Sequence, residues 1–118
     1  MKLLILGANG QVGREFSELS KKTDYQIICM DRKEIDLTDD EQICNVLSAM
    51  SPDVVINCAA YTAVDRAEVE PDLAFRVNAR ALKVLAKTCA INNFALIHIS
   101  TDYVFDGHGE IPFKESDP

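Results

Sequence analysis

The run Leu3-Leu4-Ile5-Leu6 passes without a break into Gly7-Ala8-Asn9-Gly10-Gln11-Val12-Gly13, and the reading of this junction decides the fold. Four consecutive apolar residues near the N-terminus read as a buried parallel strand, and beyond Gly13 the residues Phe16 and Leu19 fall at helical spacing. A strand that turns on glycines into a helix aims free backbone N–H groups, and the positive end of the helix, at the space above the turn. The usual occupant of that space is a pyrophosphate. The glycines have separate tasks: a tight turn, close approach of backbone to phosphate, and close packing of helix on strand. The spacing is G-x-x-G-x-x-G, one residue longer than G-x-G-x-x-G between the first two glycines. Glycines also end strands for purely structural reasons, but the strand before and the helix after favour dinucleotide binding.

Outward from this junction, strands and helices alternate. After a first helix ending near Lys21-Lys22, Tyr25 to Met30 forms a second apolar run stopped by Asp31, and Glu34 to Leu37 reads as a short strand-like piece. Thr38 is expected to cap a helix with Asp39, Asp40 and Glu41 in its first turn and Ile43, Val46, Leu47 and Met50 on its apolar side. Pro52-Asp53 breaks that helix, and Val54 to Ala60 reads as a further buried strand. A helical pattern then runs from about Asp72 to Asn92 through Phe75, Leu82, Leu85 and Ala86, followed by a strand from Phe94 to Ile99 closed by Ser100-Thr101-Asp102. This alternation predicts an α/β fold: a Rossmann-like, doubly wound parallel sheet with helices on both faces. With strand order 3-2-1-4-5, the stretch Phe94 to Ile99 becomes an edge that invites self-association. The tail from Asp106, with Gly107, Gly109 and Pro112, reads as surface loop.

Composition narrows the classes. The 118 residues, 47% hydrophobic and 26% charged, make about one small soluble domain. No apolar run approaches the roughly 18 residues of a membrane span, and Lys2 leads at once into the first strand without the features of a signal peptide, so a cytoplasmic location is expected. Cys29, Cys44, Cys58 and Cys89 form no C-x-x-C pair and sit in apolar segments, which predicts buried small hydrophobes with no metal site and no disulfide framework. A net charge of −7 without a Lys/Arg cluster argues against nucleic-acid binding, though not against one nucleotide held by backbone amides.

Chemistry-bearing residues gather at the predicted strand ends. Asp31 lies where a carboxylate accepts from a ribose 2′-OH, which favours NAD: a 2′-phosphate is repelled by about 4 kcal/mol per charge pair at 4 Å and an effective dielectric of 20. Arg32, next to it, pairs well with that same phosphate, so the two residues leave the cofactor open between NADH and NADPH. Asp36 and Leu37 have the chemistry to flank an adenine, as acceptor for its exocyclic amine and as apolar cover. Ala59-Ala60-Tyr61-Thr62 puts small residues at the carboxyl edge of the sheet, where a ligand crosses the crevice. Ser100 and Thr101 place hydroxyls at that edge, suited to donating to a substrate carbonyl or to capping a turn.

Three stretches together resemble the dTDP-4-dehydrorhamnose reductase family of the extended short-chain dehydrogenase/reductase superfamily. They are Gly7 to Gly13, Asn57-Cys58-Ala59-Ala60-Tyr61-Thr62-Ala63-Val64-Asp65 with Ala67-Glu68-Val69-Glu70-Pro71 after Arg66, and Ser100 to Gly107. The tail Ile111 to Asp117 is similar as well, so the resemblance spans essentially the whole chain. It implies reduction of the C4 ketone of dTDP-4-dehydro-L-rhamnose by NADPH or NADH, giving dTDP-L-rhamnose for cell-surface polysaccharide. It further implies that Gly10, Gln11 and Val12 hold the pyrophosphate, that Asp31 or Arg32 meets the adenosine ribose, and that Asp36 and Leu37 meet the adenine. Ala60, Tyr61 and Thr62 would line the path to the nicotinamide, with Ile99 beneath it. Thr101 matches the hydroxyl residue of the catalytic triad, and Thr101 with Asp102 would touch the dTDP-sugar. Asn78 matches a position that supports the active site in the wider superfamily.

The sequence departs from the family at one point. None of Tyr25, Tyr61 and Tyr103 has a lysine four residues on, so the family's Tyr-x-x-x-Lys proton donor is missing. Residues 1–118 are therefore expected to form an incomplete NAD(P)-binding domain without the substrate-binding C-terminal part, inactive alone and prone to self-association, with a homodimer expected at full length. Two rivals remain: a nucleotide-sugar epimerase or dehydratase on the same fold, and a non-catalytic NAD(P)-binding regulatory subunit.

Overall fold

Residues Lys2–Leu6 form β1, and Leu3 to Leu6 are almost completely buried, as befits the central strand of a sheet covered on both faces. The computed structural model describes residues 1–101, 112–114 and 116. β1 pairs in parallel with β2 (Gln26–Met30) on one side and with β3 (Val54–Asn57) on the other, and β4 (Ala95–His98) pairs in parallel with β3. The order is β2-β1-β3-β4. Leu6 stands opposite both Met30 and Asn57, and Asn57 opposite His98, so all four strands end flush along one carboxyl edge.

Alternation along the strands sends side chains to two separate cores. Leu4, Leu6 and Val55 pack with Ile43 and Leu47 of α2 (Asp40–Met50) and with Ala81, Leu85 and Cys89 of α5 (Ala81–Asn92). Leu3, Ile5 and Ile56 pack on the opposite face with Phe16 of α1 (Gln11–Leu19), which continues as a 3₁₀ turn over Ser20–Lys22. Burial of one such aliphatic side chain contributes about 1.5–3 kcal/mol, so the α2/α5 face, with its longer roster of buried residues, is the more strongly held. Helices therefore cover both faces of a parallel sheet, the architecture of a Rossmann-like fold. No helix among the described residues is long and apolar enough to cross a membrane.

Several local expectations give way to the structure. Glu34 to Leu37 is not a strand: the Glu34 and Ile35 amides donate to the Asp31 carbonyl in a turn, while Ile35 and Leu37 reach down into the α2 core. Among the described residues the sheet thus has four strands, in the predicted order with that piece removed. The N-cap of α2 is Asp39, whose carboxylate accepts from the Gln42 amide, whereas the Thr38 hydroxyl donates to Asp36. The strand read as Val54 to Ala60 stops at Asn57. The long helical pattern divides into α4 (Pro71–Phe75), a π turn over Arg76–Arg80, and α5, with a separate short helix α3 (Val64–Val69) before it. Phe75 is 67% exposed and Ala86 is exposed, because the wide turn rotates the buried stripe onto Ala81, Leu85, Thr88 and Cys89. Cys89 is buried, but Cys29 and Cys58 are only half-buried and Cys44 is exposed, its thiol 3.3 Å from the Thr88 hydroxyl. The loop expected from Asp106 onward lies outside the described residues apart from positions 112–114 and 116.

Candidate functional site

Gly7 leaves β1 with φ +88°, a left-handed conformation that side-chain-bearing residues rarely adopt, and a Cβ there would stand 2.7 Å from the Ala59 amide nitrogen. At Gly13, a Cβ would stand 2.2 Å from the Gly7 carbonyl oxygen, so this glycine lets α1 rest directly on the turn. Gly10 is different: its nearest neighbour would be 3.3 Å away, and the residue is exposed. The Gly7 and Ala8 amides are both spent on the Met30 carbonyl, at 3.0 Å each, and the Gly10 amide on the Gly7 carbonyl. The first turn of α1 has no side-chain cap and no acidic residue. Among the described residues, the N–H groups of Gln11, Val12 and Gly13 have no acceptor, which leaves the helix end electropositive.

A cavity of about 720 Å³ opens above this turn along the carboxyl edge of the sheet. It gathers most of the residues picked out from the sequence: Gly7, Gly10, Gln11 and Val12 from the loop, Asp31 and Arg32 past β2, Asp36 and Leu37, and Ala60, Tyr61 and Thr62 past β3. Gly13 lies beneath the turn, buried, and does not line the cavity. Ile99 is 47% exposed, and neither it nor the exposed Thr101 reaches the cavity wall; both follow β4 at the same carboxyl edge as the glycine turn. Asp102 lies outside the described residues, as does the rest of the motif that runs to Gly107. The cavity also takes in Ala59, read from the sequence as part of the small-residue edge, and Asn9, Arg14, Ile35, Thr38, Cys58 and Val77, to which the sequence reading gave no separate role. The proximity of Ile35 and Thr38 to Asp36 and Leu37 was a usable signal. For Val77, brought in by the π turn, the sequence offered none.

The polar groups of the cavity hold one another in place. The Asp31 carboxylate accepts from the Lys33 amide at 2.7 Å and from the Asn9 side-chain amide at 2.7 Å, and these bonds keep its carboxyl below its ordinary pKa. The Asp31 amide donates to Glu34 at 2.8 Å. Asp36 is likewise lowered, by the Thr38 amide and then the Thr38 hydroxyl, each 2.8 Å away. Among the described residues Arg14 and Arg32 have no ion pair.

Tyr61 is clamped from three sides. Its amide donates to Asn78 Oδ1 at 2.7 Å, its carbonyl accepts from Asn78 Nδ2 at 3.1 Å, and its hydroxyl donates to Glu70 at 2.6 Å. The bond to Glu70 raises the Tyr61 pKa and lowers that of Glu70, which also pairs with Arg66 at 3.5 Å. The π turn that carries Asn78 is what brings its carboxamide against the strand end. Asn57, fully buried, fixes the adjacent turn: its Oδ1 accepts from the Ala59 amide at 3.1 Å and its Nδ2 lies 3.2 Å from His98 Nδ1. No group of three potential metal ligands occurs among the described residues.

Known proteins agree with this architecture over the whole chain. A dTDP-4-dehydrorhamnose reductase of Aggregatibacter actinomycetemcomitans is 41% identical over 117 residues, covering 98% of this chain and 40% of the relative. The crystal structure of a dTDP-4-dehydrorhamnose reductase from Clostridium acetobutylicum superposes with a TM-score of 0.94 at 42% identity, over 100% of this chain and 42% of that one. The Bacillus anthracis dTDP-4-dehydrorhamnose reductase, solved in complex with NADP, superposes with a TM-score of 0.82 at 40% identity, over 90% of this chain and 38% of that one. The chain therefore spans well under half the length of the relatives it matches. The family model described as the RmlD substrate binding domain matches residues 1–118, and the chain belongs to that family.

Proposed function

We propose that this chain is the cofactor-binding part of an NAD(P)H-dependent reductase that converts the C4 ketone of dTDP-4-dehydro-L-rhamnose to the alcohol of dTDP-L-rhamnose in the cytoplasm. The observation that carries the reading is the cavity itself: one concave site on the carboxyl edge of a parallel sheet, bounded by an uncapped helix N-terminus, an acidic–basic pair past β2, and small residues past β3. The residues present fit a dinucleotide. Gly10 leaves backbone room where a phosphate approaches, and the Gln11 and Val12 amides supply donors from a helix turn that carries no carboxylate. Asp31, Arg32, Asp36 and Leu37 would hold the adenosine end, and Ala60, Tyr61 and Thr62 would line the way toward the nicotinamide. When bound, the reduced nicotinamide supplies the hydride.

The chain's own contribution to the chemistry is orientation and a hydroxyl. Thr101, past the end of β4, would donate to the substrate carbonyl and, with Asp102, touch the sugar nucleotide; one such donor is worth about 10²–10³ in rate. The proton that completes the alcohol has no Tyr-x-x-x-Lys donor in this sequence, so residues 1–118 are expected to bind without turning over. Calorimetric titration of the chain with NADH and with NADPH tests the reading. Saturable one-to-one binding of either supports it, and binding of neither overturns it.

A further inference from the structure

Resting on the dinucleotide reading, we infer that Asn9 is the residue that opens the ribose end of the cavity to a 2′-phosphate: a positioning residue that acts through Asp31. A bare carboxylate at the end of β2 would repel such a group. Here both Asp31 oxygens already accept a strong hydrogen bond, Oδ1 from the Lys33 amide and Oδ2 from the Asn9 amide, each at 2.7 Å. The first comes from the turn to which Asp31 belongs. The second comes from a different element, the glycine loop, and turns Oδ2 back toward that loop. Glu34, the other carboxylate of this turn, is drawn onto the Asp31 amide at 2.8 Å. Against these two occupied acids, Arg14 and Arg32 line the same cavity without an ion pair among the described residues, and the charge of Arg32 is felt at Asp36 and Tyr61. Arg14 and Arg32 offset the two carboxylates of the cavity wall, Asp31 and Asp36, so a further anion is accommodated beside the guanidiniums only while the Asp31 carboxylate stays turned aside.

Asn9 is exposed and does not adopt a left-handed backbone, so it is replaceable without strain. The test is a set of titrations with NADH and NADPH on the parent chain, Asn9→Ala, Asn9→Ser, Asp31→Ala and the double variant Asn9→Ala/Asp31→Ala, each checked for folding by circular dichroism. Loss of the amide donor is expected to weaken NADPH by about fivefold or more while NADH changes by less than about twofold, the scale of one charge-assisted hydrogen bond. In the Asp31→Ala background the same substitution is expected to leave the ratio unchanged, since the carboxylate through which it acts is gone. Equal weakening of both nucleotides, selective weakening of NADH, or an Asn9 effect that persists without Asp31 overturns the inference. A parent chain that binds neither nucleotide overturns the dinucleotide reading as well, whereas intact binding with an unmoved ratio overturns this inference alone.

Discussion

Gly10 and Gly13 stand three residues apart in one loop and answer to different constraints. A methyl group at Gly13 would meet the Gly7 carbonyl and the Ala8 backbone, neither of which is the flexible end of a side chain, so Gly13→Ala is expected to cost about 3 kcal/mol and lower the urea midpoint. Gly10→Ala meets only one atom, at 3.3 Å, and is expected to cost less than about 1 kcal/mol while weakening nucleotide binding about tenfold. That separation of folding from binding was legible in the sequence as a motif, but not as an assignment of tasks to particular glycines. Asn57 and Asn9 stood inside recognisable stretches, but their tasks were not legible, because their partners, His98 and Asp31, come from remote stretches of the chain. The carboxyls of this region also set an acid limit. Asp31, Asp36, Asp40 and Glu70 titrate below their ordinary values because they accept, in turn, from the Lys33 amide, the Thr38 amide, Arg80 and Tyr61. Lowered folded pKa values contribute stability above the unfolded ones and lose it as the pH falls through the folded ones. The melting temperature followed by circular dichroism is expected to decline below about pH 4.5, by a modest amount because these groups are solvent-screened, and less steeply in Asp31→Asn.

At the scale of elements, hydrophobic periodicity located every strand and the two long helical stretches, since β1, β3 and the inner face of α2 are buried as their patterns require. It misled where burial and backbone conformation part company. Ile35 and Leu37 are both buried two residues apart, the signature of a strand, yet the backbone between Asp31 and Thr38 turns. α3 left no signal, because Val64 and Val69 are exposed and give it no apolar stripe. The cap of α2 separates two adjacent candidates. Asp39→Ala removes the acceptor of the Gln42 amide and is expected to cost about 1 kcal/mol in chemical denaturation. Thr38→Ala, which removes only a hydroxyl bonded to Asp36, is expected to cost less. The π turn belongs to the same scale: a single extra residue moved Phe75 to the surface and at the same time delivered Asn78 to Tyr61.

For the whole molecule, the sheet has β2 and β4 as its edges among the described residues, and β4 is the one with large apolar side chains in the open, Ile97 at 53% and Ile99, just past its end, at 47% exposed. An uncovered apolar edge pairs readily with another copy, so the 118-residue chain is expected to self-associate at high concentration in light scattering. Ile97→Lys is expected to reduce that association, and a monodisperse monomer of the parent would remove the basis for it. The absence of a side chain at Gly7 has a wider effect. The space that a methyl group would occupy is filled by the backbone of residues 58 and 59, so the first and third strand ends touch there main chain to main chain. Two loops in contact at that range have little room to shift independently, so a bulkier residue at position 7 is expected to displace the stretch that leads to Tyr61 and Thr62.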